Sequence, residues 1–102
     1  MKYINKLKLY GHPIVAIGTK ISRVNDINII TGTPILKNVN TVTLYLNPAN
    51  QIQYYNYIIS LNPQRIIFNP GTENPELASL AKANGIDCIE ACTLVLLSTN
   101  QY

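Results

Sequence analysis

Apolar and polar positions along this chain switch repeatedly between a helical and an extended rhythm. Between Lys2 and Tyr10, Ile4 and Leu7 fall on one face with Lys6 and Lys8 on others, which predicts an amphipathic helix ending at Gly11. Ile14 to Ile17 is an unbroken apolar run closed by Gly18, the pattern of a strand covered on both faces. Val24 to Thr31 alternates less cleanly and predicts a short edge strand before the turn signal Gly32-Thr33-Pro34. Thr41 to Leu46 is β-branched and aromatic, so a strand. Asn47-Pro48 opens a helix to about Leu61, with Ile52, Tyr55, Ile58 and Ile59 at helical spacing and Asn62-Pro63 as its stop.

Arg65 to Phe68 reads as another short buried strand. Asn74-Pro75-Glu76-Leu77 is a helix start: Asn caps, Pro fits the first turn and Glu suits the positive end of the dipole. Leu77, Leu80 and Ala81 are expected to face inward, and Gly85 to end that helix. Ile86 to Ala91 is a last strand, and Cys92 to Ser98 suits either a short helix or a strand extension. Short buried strands alternating with helices predict an α/β domain, a mainly parallel sheet with flanking helices, in one domain over residues 1–102.

In such sheets ligands bind beyond the carboxyl ends of the strands. Those ends are Gly18-Thr19-Lys20, Leu46-Asn47-Pro48, Asn69-Pro70-Gly71-Thr72 and Cys92-Thr93, which are expected to converge on one nucleotide-shaped cleft. At 47% hydrophobic and 13% charged, the composition is globular rather than disordered. The apolar runs are too short to span a bilayer and the start lacks a secretory pattern, so a cytoplasmic chain without a membrane partner is expected.

The net charge is +3, and five of the eight basic residues precede Asp26, the first acid. A basic end suits a phosphate-bearing partner or, more simply, a solvated helix face. The lack of a basic run with interleaved aromatics, or of zinc-finger spacing, argues against nucleic acid. Cys88 and Cys92 with a single His and no CxxC make neither a disulfide framework nor a metal site; both read as reduced, packed thiols. His12 has no partnered nucleophile and reads as structural. Glu73 and Glu76 are explained by the helix dipole, without acid–base work. Tyr45, Tyr54, Tyr55 and Tyr57 read as core and helix-surface residues, with Tyr45 near the strand-end site.

Tyr10-Gly11-His12-Pro13-Ile14-Val15-Ala16-Ile17-Gly18 resembles the first helix end and second strand of the CoA-binding domain family, the Rossmann-like fold of the CoA-binding domain in succinyl-CoA synthetase alpha subunits. Thr41 to Pro48, Ile67 to Glu76 and Ala91 to Ser98 are similar to blocks of its small stand-alone bacterial members, in the same order. The resemblance implies binding of coenzyme A or an acyl-CoA and no catalytic chemistry, hence not an enzyme. By position it implies that Lys20, following Gly18 and Thr19, meets a phosphate of the 3′-phosphoadenosine end. Asn47 and Pro48 are implied as a wall near adenine and ribose. Asn69, Pro70, Gly71 and Thr72 line the pocket further along, with Cys92 near the sheet's far end.

The family begins with a strand and a glycine-rich loop that holds the pyrophosphate at a helix start. Here Met1 already falls in the first helix, and a strand-helix-strand unit needs roughly 30 residues. An N-terminally truncated version is therefore expected. Three readings follow: a start upstream of Met1, direct pairing of the two strands flanking the gap, or cover by another chain. The last leads to the alternative function, a protein-interaction or structural domain that assembles as a homodimer or larger homo-oligomer and has lost the cofactor.

Overall fold

The structure, a computed structural model, describes residues 7, 9–12, 14–17, 22–24 and 27–102. The first predicted helix lies largely outside the described residues, as do Gly18, Thr19 and Lys20. By its internal contacts the chain divides into two compact units, residues 1–34 with 94–102, and residues 35–93.

The first unit carries a three-stranded sheet in the order β1-β3-β2, from β1 (Ala16–Ile17), β2 (Ser22–Val24) and β3 (Ile27–Ile30). β1 runs parallel to β3, while β2 pairs antiparallel with it. The segment expected as an edge strand, Val24 to Thr31, instead holds β3, which is central among the described strands of its sheet, and the last residue of β2. Leu7, Ile29 and Leu97 are buried here. The expected mainly parallel pairing holds, three of the four described pairings being parallel, but the described strands fall into two sheets rather than one.

The second unit is wholly parallel. Its sheet has the order β4-β5-β6, from β4 (Thr41–Leu44), β5 (Arg65–Phe68) and β6 (Asp87–Glu90), in register from Thr41↔Arg65↔Asp87 to Leu44↔Phe68↔Glu90. The central strand earns its apolar composition by being covered on both faces: Ile66 and Ile67 are fully buried although successive side chains point opposite ways. Ile66 and Phe68 join Leu44, Ile58, Leu77, Ala81 and Ile86 in the core.

The segment after β4 is not the single helix its pattern suggests. α1 (Pro48–Gln51) passes through a 3-10 turn (Ile52–Tyr54) into α2 (Tyr55–Leu61). Ile52 is 61% exposed, while Gln51, at i, i+4 and i+7 spacing with Tyr55 and Ile58, is fully buried. Asn62 ends α2 in the left-handed conformation, with Pro63 behind it.

α3 (Pro75–Ala83) keeps the cap and first-turn proline read from the sequence. Its inward stripe is narrower than expected. Leu77 and Ala81 are fully buried and Ala78 packs beside them, but Leu80 is partly exposed. At about 100° per residue, Leu80 sits well outside the arc those three define. Gly85, with φ +74°, closes the helix in the left-handed form, and Ile86 N–H donates to Ala81 O at 3.0 Å. The last segment resolves as a helix, α4 (Thr93–Ser98).

Candidate functional site

Three of the four predicted strand-end segments lie in the second unit, and the parallel register brings the ends of β4, β5 and β6 level. What holds their loops is a set of buried polar side chains. Gln51, Asn69, Thr72, Asn74 and Thr93 are the buried polar residues among those described, and all five stand at this end of the sheet.

Asn69 follows the last residue of β5. Its Nδ2 donates to Leu44 O at 2.8 Å and to Thr43 Oγ1 at 2.9 Å, across the β4 end. Its Oδ1 accepts from Thr93 N–H at 2.8 Å, at the start of α4. Thr43 and Thr93 share a hydroxyl–hydroxyl bond of 2.8 Å. One amide therefore joins the ends of β4 and β5 to the residue where α4 begins. Thr72 turns the loop back: its N–H and its Oγ1 both donate to Asn69 O, at 2.9 and 2.7 Å.

A second amide cluster lies alongside. Gln51 Nε2 donates to Leu46 O and to Thr72 O, each at 2.8 Å, and its Oε1 accepts from Asn74 Nδ2 at 2.9 Å. Asn74 Nδ2 also reaches Tyr55 OH at 2.8 Å, while Asn74 Oδ1 caps α3 at Leu77 N–H, 3.2 Å. No buried side-chain nitrogen or oxygen among the described residues lacks a partner, as low-dielectric burial requires.

The predicted residues thus divide into two kinds. Asn69 and Thr72 are buried, and their side-chain groups are engaged within the protein. Asn47, Pro48, Pro70 and Gly71 are exposed, and Cys92 is half-buried. Asn47 caps α1, its Oδ1 accepting from Asn50 N–H at 3.0 Å, with Pro48 in the first turn. Gly71 sits at φ +89°, and nothing lies within 4 Å of the place a Cβ would occupy, so the backbone conformation itself calls for glycine. Its N–H donates to the exposed Glu73 carboxylate at 2.9 Å. The surface available to a ligand is loop backbone, proline ring and the exposed Tyr45 nearby.

Thr93 falls in the predicted Cys92-Thr93 segment, whereas Gln51 and Thr43 do not stand out as site residues in the sequence. Polarity suggests exposure for both, yet Gln51 is fully buried and Asn69 reaches the Thr43 hydroxyl across the strand ends. A groove of about 420 Å³ also runs from Phe68, Asn74 and Glu90 at the strand ends down between α3 and β6 to Lys82 and Cys88. Burial pushes the Cys88 thiol above its ordinary range; the neighbouring Asp87 adds to this and Lys82 opposes it. Such a thiol is a poor nucleophile. In the first unit the His12 ring lies tilted against the Tyr102 ring, centroids 4.6 Å apart, a packing contact. No group of three or more His, Cys, Asp or Glu suited to a metal occurs among the described residues, and no described helix is long and apolar enough to cross a membrane.

Comparison with known proteins agrees with this architecture. A solved structure titled as an uncharacterized protein shares 46% identity, covers 99% of this chain and 84% of its own, and superposes with a TM-score of 0.96. A protein from Thermus thermophilus at 12% identity (TM-score 0.83, 99% and 78% covered) and one from Pyrococcus horikoshii OT3 at 17% (TM-score 0.82, 94% and 69%) share the fold. No curated protein matches the chain. The family model described as CoA binding domain matches residues 1–98, so this chain, with its Rossmann-like parallel strands and flanking helices, belongs to the CoA-binding domain family.

Proposed function

We propose that this protein binds coenzyme A or an acyl-CoA at the carboxyl ends of β4, β5 and β6, and carries out no reaction on it. The observation that carries the reading is the joined set of strand ends: three parallel strands finish level, and buried amides hold their loops while leaving Asn47, Pro48, Pro70 and Gly71 exposed. Family membership supplies the ligand class. Asn47 and Pro48 form the wall toward adenine and ribose, and the 69–72 loop meets the ligand further along, through its backbone rather than through the Asn69 and Thr72 side chains. Both cysteines are free thiols, which fits a reducing compartment such as the cytoplasm.

Isothermal calorimetry with CoA, acetyl-CoA and ADP tests the reading. Binding of at least one CoA species, tighter than ADP, is expected. No heat with any CoA species would remove the proposal.

A further inference from the structure

Taking the strand ends as a CoA site, we infer that Gln51 is a positioning residue that sets the separation between the site's two walls without touching the ligand. The β4–β5 ladder ends at Leu44↔Phe68. Past that point the chain leaves β4 through Leu46 toward Asn47-Pro48, and leaves β5 through the 69–72 loop. Gln51 Nε2 bonds to a carbonyl in each, Leu46 O and Thr72 O, both at 2.8 Å. The two N–H directions of a planar amide are fixed relative to each other, so one rigid group spans both loops. Its Oε1 is held in turn by Asn74, which caps α3.

Core packing does not ask for this residue. Gln51 is fully buried, in the inward stripe with Tyr55 and Ile58, where Leu or Met would fill the same volume without burying an amide. The amide is accounted for by the two carbonyls it joins, and those carbonyls belong to the two segments proposed to face the ligand.

Gln51→Met keeps the shape and removes both donors. We would measure its affinity for CoA, which spans both walls, and for adenosine 3′,5′-bisphosphate, which meets only the Asn47-Pro48 side. Titrations run at a temperature where circular dichroism matches the parent protein. CoA affinity is expected to fall roughly tenfold, because loops the amide no longer holds must be ordered on binding, with the bisphosphate changed less than about twofold. Equal losses for both ligands, or none, would overturn the positioning role. Should Gln51→Met not fold, Gln51→Asn, one methylene shorter, carries the same comparison.

Amide hydrogen exchange without ligand gives an independent arm. Asn50 and Thr72 should exchange faster in the variant while β4–β5 ladder amides hold; unchanged exchange at Thr72 overturns the role. If the parent protein ignores CoA while the variant shows this exchange pattern, the ligand reading fails and the role of Gln51 in fixing the two loops stands.

Discussion

The two ends of the second unit's sheet are built by different means. At the carboxyl end the polar groups are buried and long in sequence reach: Asn69 bonds residues 24 to 26 positions away, and Gln51 reaches Thr72 over 21. At the amino end the side-chain bonds are more open, as in Thr41 Oγ1 to Asn40 Oδ1 at 2.7 Å and Arg65 Nε to Thr41 Oγ1 at 3.0 Å. Backbone does the remaining work there, with Gln64 N–H and Arg65 N–H both donating to Asn40 O. A sheet needs only its ladder and its apolar faces to hold together. The additional buried polar network at one end therefore marks where loop geometry, beyond fold stability, is being specified.

The sharpest way to break this comparison is Asn69→Ala. It leaves Leu44 O and Thr93 N–H buried without their partner, and should cost about 2–4 kcal/mol in urea unfolding. Asn74→Ala removes the α3 cap together with its bonds to Gln51 and Tyr55, and should cost about 1–2 kcal/mol by the same assay. Thr41→Val at the opposite end should cost no more than about 0.5 kcal/mol, because the bonds it loses can be remade with water. A Thr41 loss as large as that of Asn69 would abolish the distinction between the ends.

The smallest effect concerns Cys88. Its thiol is pushed up in the folded state, so the neutral form is favoured there. The associated stabilisation is fully present below the ordinary thiol range and is lost as pH rises through the higher folded value. In a Cys92→Ser background, the pH profile of iodoacetamide alkylation should have its midpoint above that of a free thiol. A midpoint at or below it would show that Lys82 outweighs burial and Asp87.

Much of this unit can be read directly from sequence. Arg65–Phe68 is recognisable because a strand covered on both faces must be continuously apolar, and Asn74-Pro75 because a cap and a first-turn proline act locally. The strand-end positions of Asn47, Asn69 and Gly71 follow from those boundaries. The role of the Asn69 side chain does not, because a capping, ligand-facing or buried Asn looks the same in a string of letters. Gln51 is hidden for a second reason. Gln51 and Ile52 both stand at helical spacing from Tyr55, so apolarity selects Ile52 as the inward residue where the fold buries its polar neighbour. The hairpin of β2 and β3 escapes because its strands are too short for alternation to separate.

The central claim is that the carboxyl end of β4, β5 and β6 is a CoA site. An NMR titration of the isotope-labelled protein with CoA tests it most directly, because every backbone amide reports separately. The account predicts shifts concentrated at residues 46–48, 69–73 and 91–93, with Asn40, Thr41, Gln64 and Arg65 unmoved. Shifts confined to those four residues, or none at saturating CoA, would contradict it.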